Sequence, residues 1–481
     1  MITNKGEKKK KETEKKHKGF LEAKQSEENP SLLFTLFSPM KFLFRFISGP
    51  NRTLLRSLGR RQFSDLTGTK AKRNYADNVS EYNTVLASLN AKRRHFLLRD
   101  VFDDMMLDGV QPTRDTFEAL IMGTMRGSRL QDALFFRDEM KAMGLVPEVS
   151  LYNFLISTCG KCKNANLAIQ ILEEMKRYNV KPNGQTYVCL INACAAAGRL
   201  DQVLAIVRDM TAAGGELNKF CYAGLIIAHM NKTPRSDDVA AKIIELAEQS
   251  KGWSSVEESG NNGNTMLGIS EEELYNLPTA EFVHRRFFIY RQFTVYHVAF
   301  HACADLKNVE ATETLLEMLK KDGKVPDTFI TMQIMRCYLH AGNIDHAVQI
   351  FEDYMNGGKP PAMELYATLI EGAMVGYTPR GMELAQETLV NMTKRNFFLN
   401  SKFGSDLLLI AAGEKTGGYT NANYIWDLMQ ARKIVPSLPA VEAYYSGLKG
   451  REIPEDDPRL QLVTRTLNNL RARFGPSLGR P

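Results

Sequence analysis

Cys159 and Cys162 are separated by two residues, the spacing at which a thiolate pair grips zinc or exchanges a disulfide. No other residues in this chain invite a chemical reading so directly. A structural zinc site needs two further ligands at comparable spacing, and neither a second such pair nor a histidine pair lies nearby. Cys159 instead falls in step with Cys194 and Cys303, which is how a small buried hydrophobe recurs. His340 and His346 flank a turn without a carboxylate-rich partner, and both read as surface residues. The chain has no phosphate-cradling G-x-x-x-x-G-K-[ST], no G-x-S-x-G nucleophile turn and no H-x-E followed by C-x-x-C. Its 7 cysteines, an odd number, imply no disulfide framework. The expectation is a protein that is not an enzyme and uses no cofactor, metal or small-molecule substrate.

The elements that position these residues repeat. Tyr82, Phe117, Tyr152, Tyr187 and Tyr222 are each 35 positions apart. Met105, Met140, Met175 and Met210 share that interval, as do Pro112, Pro147 and Pro182, and further on Pro326 and Pro361. Series locked in one phase mean a stack of short units, each too small to bury its own apolar face. In the unit over 149–183, Tyr152, Leu155, Ile156 and Cys159 make an i, i+3, i+4, i+7 stripe, and Ala168, Ile171, Leu172 and Met175 make a second. Each stripe predicts a short amphipathic helix. Gly198 and Gly342 stand where a first helix must stop, since glycine accepts the left-handed conformation. Asn166, Asp201 and Asp345 are placed to cap second helices, and Pro182 closes the unit.

The tetratricopeptide repeat also has two helices, but its length is 34 residues. The pairs Tyr82-Asn83 and Tyr152-Asn153, the Glu173-Glu174-Met175 segment and the closing proline resemble the pentatricopeptide repeat (PPR) family. The resemblance runs over 79–218 and 293–362, and more weakly over 219–251, 363–400 and 401–437. It implies an all-α, right-handed α-solenoid of about nine helix-turn-helix repeats of 35 residues. Members of that family act mostly in plant mitochondria and chloroplasts, and most bind single-stranded RNA. The expected organisation is a disordered Lys/Glu-rich extension (1–39), a presequence (40–63) and a linker (64–78). Repeat units then fill 79–251, an insertion of loop plus short helix 252–292, further units 293–437, and capping helices 438–481.

Residues 40–63 carry 6 basic residues and no acidic one. Arg45, Arg52, Arg56 and Arg60 share a helical face opposite Leu54, Leu55 and Leu58, the pattern of a mitochondrial presequence. Arg61-Gln62-Phe63-Ser64 resembles a plant mitochondrial processing site, which puts the cut between Phe63 and Ser64. The mature protein is expected in the mitochondrial matrix, and translation is expected to begin at Met40 rather than Met1. No apolar run reaches 18 residues, so membrane insertion is not expected.

Net charge is +7, but of 62 basic and 55 acidic residues 15 and 6 lie in the first 63. The remainder holds 47 and 49, close to neutral, so any RNA contact must be local. Repeat readers of RNA use two or three side chains per unit for one base. In the family resembled here these are the fifth and last residues of the unit. That resemblance implies pyrimidine contacts from Asn83 with Thr113 and from Asn153 with Asn183. Other pairs depart from the pattern, among them Glu118 with Glu148 and His297 with Asp327. Arg126 and Lys161, with Lys92, Arg93 and Arg94, add positive charge to the same stretch, so residues 79–183 are where RNA is expected.

In the insertion, Ser270 with Glu273 starts a short helix as a capping box. Arg285, Arg286, Phe287 and Tyr290 then mix cations with rings that could stack bases. The leading expectation is a non-catalytic mitochondrial PPR protein that binds single-stranded RNA, mRNA included, in organellar gene expression. Its rival is a structural or assembly component of the mitochondrial ribosome, with the solenoid as a protein and rRNA scaffold.

Overall fold

In the computed structural model the described residues are 75–252, 268–415 and 417–474, and they form 21 helices and no strand. The presequence reading and its Phe63–Ser64 cut lie outside them. The helices run in pairs: α1 (Val79–Ala91) with α2 (Leu98–Leu107), α3 (Arg114–Arg126) with α4 (Leu130–Ala142), α5 (Val149–Lys161) with α6 (Ala165–Arg177). Next come α7 (Gly184–Ala196) with α8 (Leu200–Ala212) and α9 (Lys219–Asn231) with α10 (Val239–Gln249). A short α11 (Glu271–Leu274) intervenes. Then follow α12 (Thr294–Leu306) with α13 (Val309–Lys321), α14 (Thr328–His340) with α15 (Ile344–Asn356) and α16 (Met363–Ala373) with α17 (Pro379–Lys394). The last are α18 (Ser401–Ala411) with α19 (Thr420–Ala431), α20 (Leu438–Lys449) and α21 (Pro458–Phe474). The fold is an α-solenoid.

The backbone keeps the period of the side chains. Helices α3, α5, α7 and α9 begin at 35-residue intervals, and so do α4, α6 and α8. From α3 onward each first helix packs on the next first helix, while the second helices from α4 to α15 lie against their own unit and its neighbour. This arrangement dictates composition. In α5 every residue from Leu151 to Gly160 is buried, whereas α6 buries only Ala165, Ala168, Ile171 and Met175. A helix enclosed by neighbours must be apolar all round, and an outer one needs only a stripe. Full burial of Tyr152 or Leu155 contributes about 2 kcal/mol each.

Turns repeat as well. Arg93, Ser128, Lys163 and Gly198 all have positive φ and follow one another at 35-residue steps. At all four the next amide closes the turn: Arg94 on Leu89, Arg129 on Thr124, Asn164 on Cys159 and Arg199 on Cys194, at 2.9, 2.9, 2.9 and 3.0 Å. This is the Schellman geometry that satisfies the last carbonyls of a helix. Gly198 and Gly342 take φ +70° and +86°, as their place in the sequence predicts.

The caps differ from expectation. Asn166, Asp201 and Asp345 lie inside the first turns of α6, α8 and α15, two residues too deep to cap. The cap of α6 is Asn164, which accepts from Leu167 N at 3.1 Å, and that of α13 is Asn308, which accepts from Ala311 N at 2.9 Å.

Two compact units partition the described residues: 82–102 with those from 112 on, and 75–81 with 103–111. In the smaller, the Tyr75 hydroxyl donates to Asp104 Oδ2 at 2.8 Å and Asp77 N to Glu81 Oε2 at 2.7 Å. Everything that follows concerns the larger. Among the described residues, no helix is long and apolar enough to cross a membrane.

Candidate nucleic-acid interface

The last residue of a unit turns out to be the N-cap of the following first helix. Thr113, Asn183, Asn218, Asp327 and Asn400 precede α3, α7, α9, α14 and α18 in extended conformation. Asn183 Oδ1 accepts from Thr186 N at 2.9 Å, and Thr113 Oγ1 lies 3.1 Å from Thr116 Oγ1. Small polar residues are favoured there by capping alone. Asn83, half-buried, accepts from Thr116 Oγ1 at 2.7 Å. Asn153 is only 1% exposed and donates to Gln185 Oε1 at 3.1 Å. His297 and Asp327 are buried and bonded to each other at 2.7 Å. Of the predicted pairs, Thr113 and Asn183 are exposed, Asn83 is partly accessible and Asn153 is enclosed.

The basic residues are brought together. Arg93, Arg126 and Lys161 come from the turn ends of α1, α3 and α5, close enough to act on His95 between them. Burial lowers the His95 pKa first, and the charges of Arg126, Lys161 and Arg93 lower it further. The Lys161 ammonium is also pushed down, by burial above all. Lys92, Arg93 and Arg94 are exposed.

One carboxylate enters this cluster, and it belongs to the insertion. Glu273 accepts from Arg126 through both oxygens, at 3.0 and 3.3 Å, with the two side chains only 22% and 19% exposed. From that anchor, residues 268–293 run as a strap along the first helices. The Ser157 hydroxyl of α5 donates to Leu274 O at 2.6 Å, and Asn276 Nδ2 donates to Ser157 O at 3.1 Å. A Cβ at Gly160 would lie 3.0 Å from both Ala193 Cα and Asn276 Nδ2, so glycine permits this close approach. Tyr275 shares a hydrogen bond with Gln185 of α7 and packs its ring 4.8 Å from Phe220 of α9. Further on, Phe329 N of α14 donates to Phe288 O at 3.1 Å, Tyr290 N donates to Asp327 Oδ2 at 2.8 Å, and Arg285 pairs with Glu364 of α16. Ile269, Leu274, Tyr275, Leu277 and Phe288 are buried in this contact.

A curated relative now decides the family. A mitochondrial pentatricopeptide repeat-containing protein of Arabidopsis thaliana is 65% identical over 438 residues, covering 91% of this chain and 99% of the relative. The chain belongs to the pentatricopeptide repeat family. Models of the PPR repeat family, the pentatricopeptide repeat domain and the PPR repeat match residues 147–196, 71–129 with 119–162, and 185–215. Among solved structures, the repeat protein PPR10 in complex with an 18-nucleotide psaJ RNA element aligns at 18% identity and TM-score 0.38. That alignment covers 94% of this chain and 63% of the other, so this chain spans under two thirds of PPR10. The PPR domain of Arabidopsis thaliana protein-only RNase P 1, solved with tRNA, aligns over 37% of this chain and 93% of that one, at 14% identity and TM-score 0.31.

Within this PPR protein six of the seven cysteines are buried in the packing between helices. Cys159 and Cys303 are fully buried with thiols pushed up to about 12, and Cys194 to about 11, in each case by burial first. Cys162 is exposed and donates weakly to Ser128 O at 3.5 Å. His346 is exposed and stacks on Tyr338 at 5.1 Å, while His340 is half-buried. Among the described residues, no cluster of His, Cys, Asp or Glu could hold a metal. Sequence reasoning read Glu273 as half of a capping box, whereas its side chain goes to Arg126, and it missed Tyr275 and Asn276. Their one signal was the acidic run Glu271–Glu273 opposite basic helix ends, visible only once the strap's course is known.

Proposed function

We propose that this chain is a non-catalytic PPR protein that binds RNA in mitochondrial gene expression, after removal of a presequence between Phe63 and Ser64. The observation that carries the reading is that Arg93, Arg126 and Lys161, from the turn ends of three successive units, all act on His95, with Lys92 and Arg94 exposed in the same turn and Arg126 held by Glu273. Such a cluster neutralises phosphates without reading bases. Thr113, Asn183 and Asn83 are the remaining candidates for a base edge. Family membership and the mitochondrial designation of the Arabidopsis relative support the compartment.

A second reading is favoured by the strap. Because it covers first-helix positions including Ser157 and Gly160, it suits a scaffold that docks on a ribonucleoprotein, the mitochondrial ribosome being the named candidate. Gradient sedimentation of a mitochondrial extract separates the two. Co-migration with a ribosomal subunit is expected for the scaffold, and recovery only in light fractions would discard it. For RNA binding, the double change Arg94→Ala with Lys161→Ala should weaken single-stranded RNA affinity several-fold, and unchanged affinity would discard the phosphate cluster.

A further inference from the structure

We propose that residues 284–291 form a stacking ledge for single-stranded RNA, carried on the strap and not on the repeats. This rests on the RNA reading above and names a surface that the repeat pattern does not contain. Phe287 is 67% exposed and Tyr290 42%, both on a segment whose neighbours are pinned. Phe288, next in the chain, is buried and stacks on Phe282 at 4.6 Å with the rings 7° from parallel. The Phe287 carbonyl accepts from Thr328 Oγ1 at 3.4 Å, and Asp327 holds the Tyr290 amide.

Phe287 itself sits at φ +61°, a conformation that a bulky side chain rarely takes and that persists only where the surroundings impose it. The consequence is a ring turned outward from a fixed backbone. Arg285 is part of the frame, bound to Glu364 and lying over Phe282 and Phe288 at 5.5 and 5.6 Å. His284, Arg286 and Arg291 are exposed, Arg291 at 3.5 Å from Glu272, and from 281 to 291 the one carboxylate is Glu281.

Two outward rings among outward cations suit a strand that offers flat bases and phosphates. Protein interfaces deplete charge at their core, and this surface does not. The strap thus ties up Asp327, which also holds His297, and offers rings beside that buried pair.

The test is anisotropy of a labelled mixed-sequence RNA of about 20 nucleotides with the full chain. Phe287→Ala with Tyr290→Ala should weaken binding about tenfold or more, whereas Phe287→Tyr with Tyr290→Phe should preserve it. Melting followed by circular dichroism should be unchanged, because both rings are exposed. If the chain binds RNA and the alanine pair binds equally well, the ledge is wrong while the phosphate cluster stands. Failure of the full chain to bind RNA would remove both.

Discussion

Ser128 has φ +54° at the turn between α3 and α4, where the corresponding turn of another unit has Gly198 at +70°. The Cβ of Ser128 crowds a carbonyl there at a cost of roughly 1 kcal/mol, which glycine would relieve. Part of that gain returns to the unfolded chain, since glycine has more freedom to lose. Ser128→Gly should therefore stabilise by about 0.5 kcal/mol and raise the urea midpoint; a lower midpoint would refute the strain argument. The same residue-by-residue view explains what the sequence could not disclose. The residue type at position 153 was readable, but its enclosure was not, because its partner Gln185 lies on the next unit's helix, where Tyr275 of the strap bonds it in turn. Likewise Asn183 and Asp327 have the right chemistry for a base edge, yet one oxygen of each is already the cap of α7 or α14.

Helices and their turns were legible in the sequence because each unit obeys the same local rules. Apolar stripes set the two helices, a left-handed residue stops the first, and proline or glycine ends the second. The strap obeys no such rule. Glu273 reaches Arg126 across 147 positions, and nothing in the period of a stack fixes a contact of that span. Its anchor can be measured. The Arg126–Glu273 pair is mostly enclosed and bonded through both oxygens, so a double-mutant cycle with alanine at each position should give a coupling of about 1 kcal/mol. Either single change should speed hydrogen exchange at residues 270–277. Exchange that stays as slow as in the parent would mean that Leu274, Tyr275 and Leu277 hold the strap without the ion pair.

Charge is the property that belongs to the whole molecule. Beyond residue 63 there are 47 basic and 49 acidic residues, and many are already paired, as Arg137 and Lys141 are with Glu174 and Arg459 with Asp427. A long electrostatic track for RNA is therefore not built into this solenoid. Neutralising about four phosphates of a single strand gives a log affinity against log salt slope near −3. Titrations between 50 and 200 mM salt should give a slope of about −2 to −4. A slope steeper than about −6 would mean that cations outside the cluster and the ledge also bind.

A pile of hairpins that touch only adjacent hairpins can open one at a time, because its stability is a sum of local and nearest-neighbour contributions. The strap removes that independence. Its bonds reach back 147, 142 and 119 positions and forward 79, so loosening α5 or α14 also strips cover from helices several units away. The stretch from α3 to α16 is thereby tied into a single cooperative block, and piecemeal fraying is left to the helices beyond it.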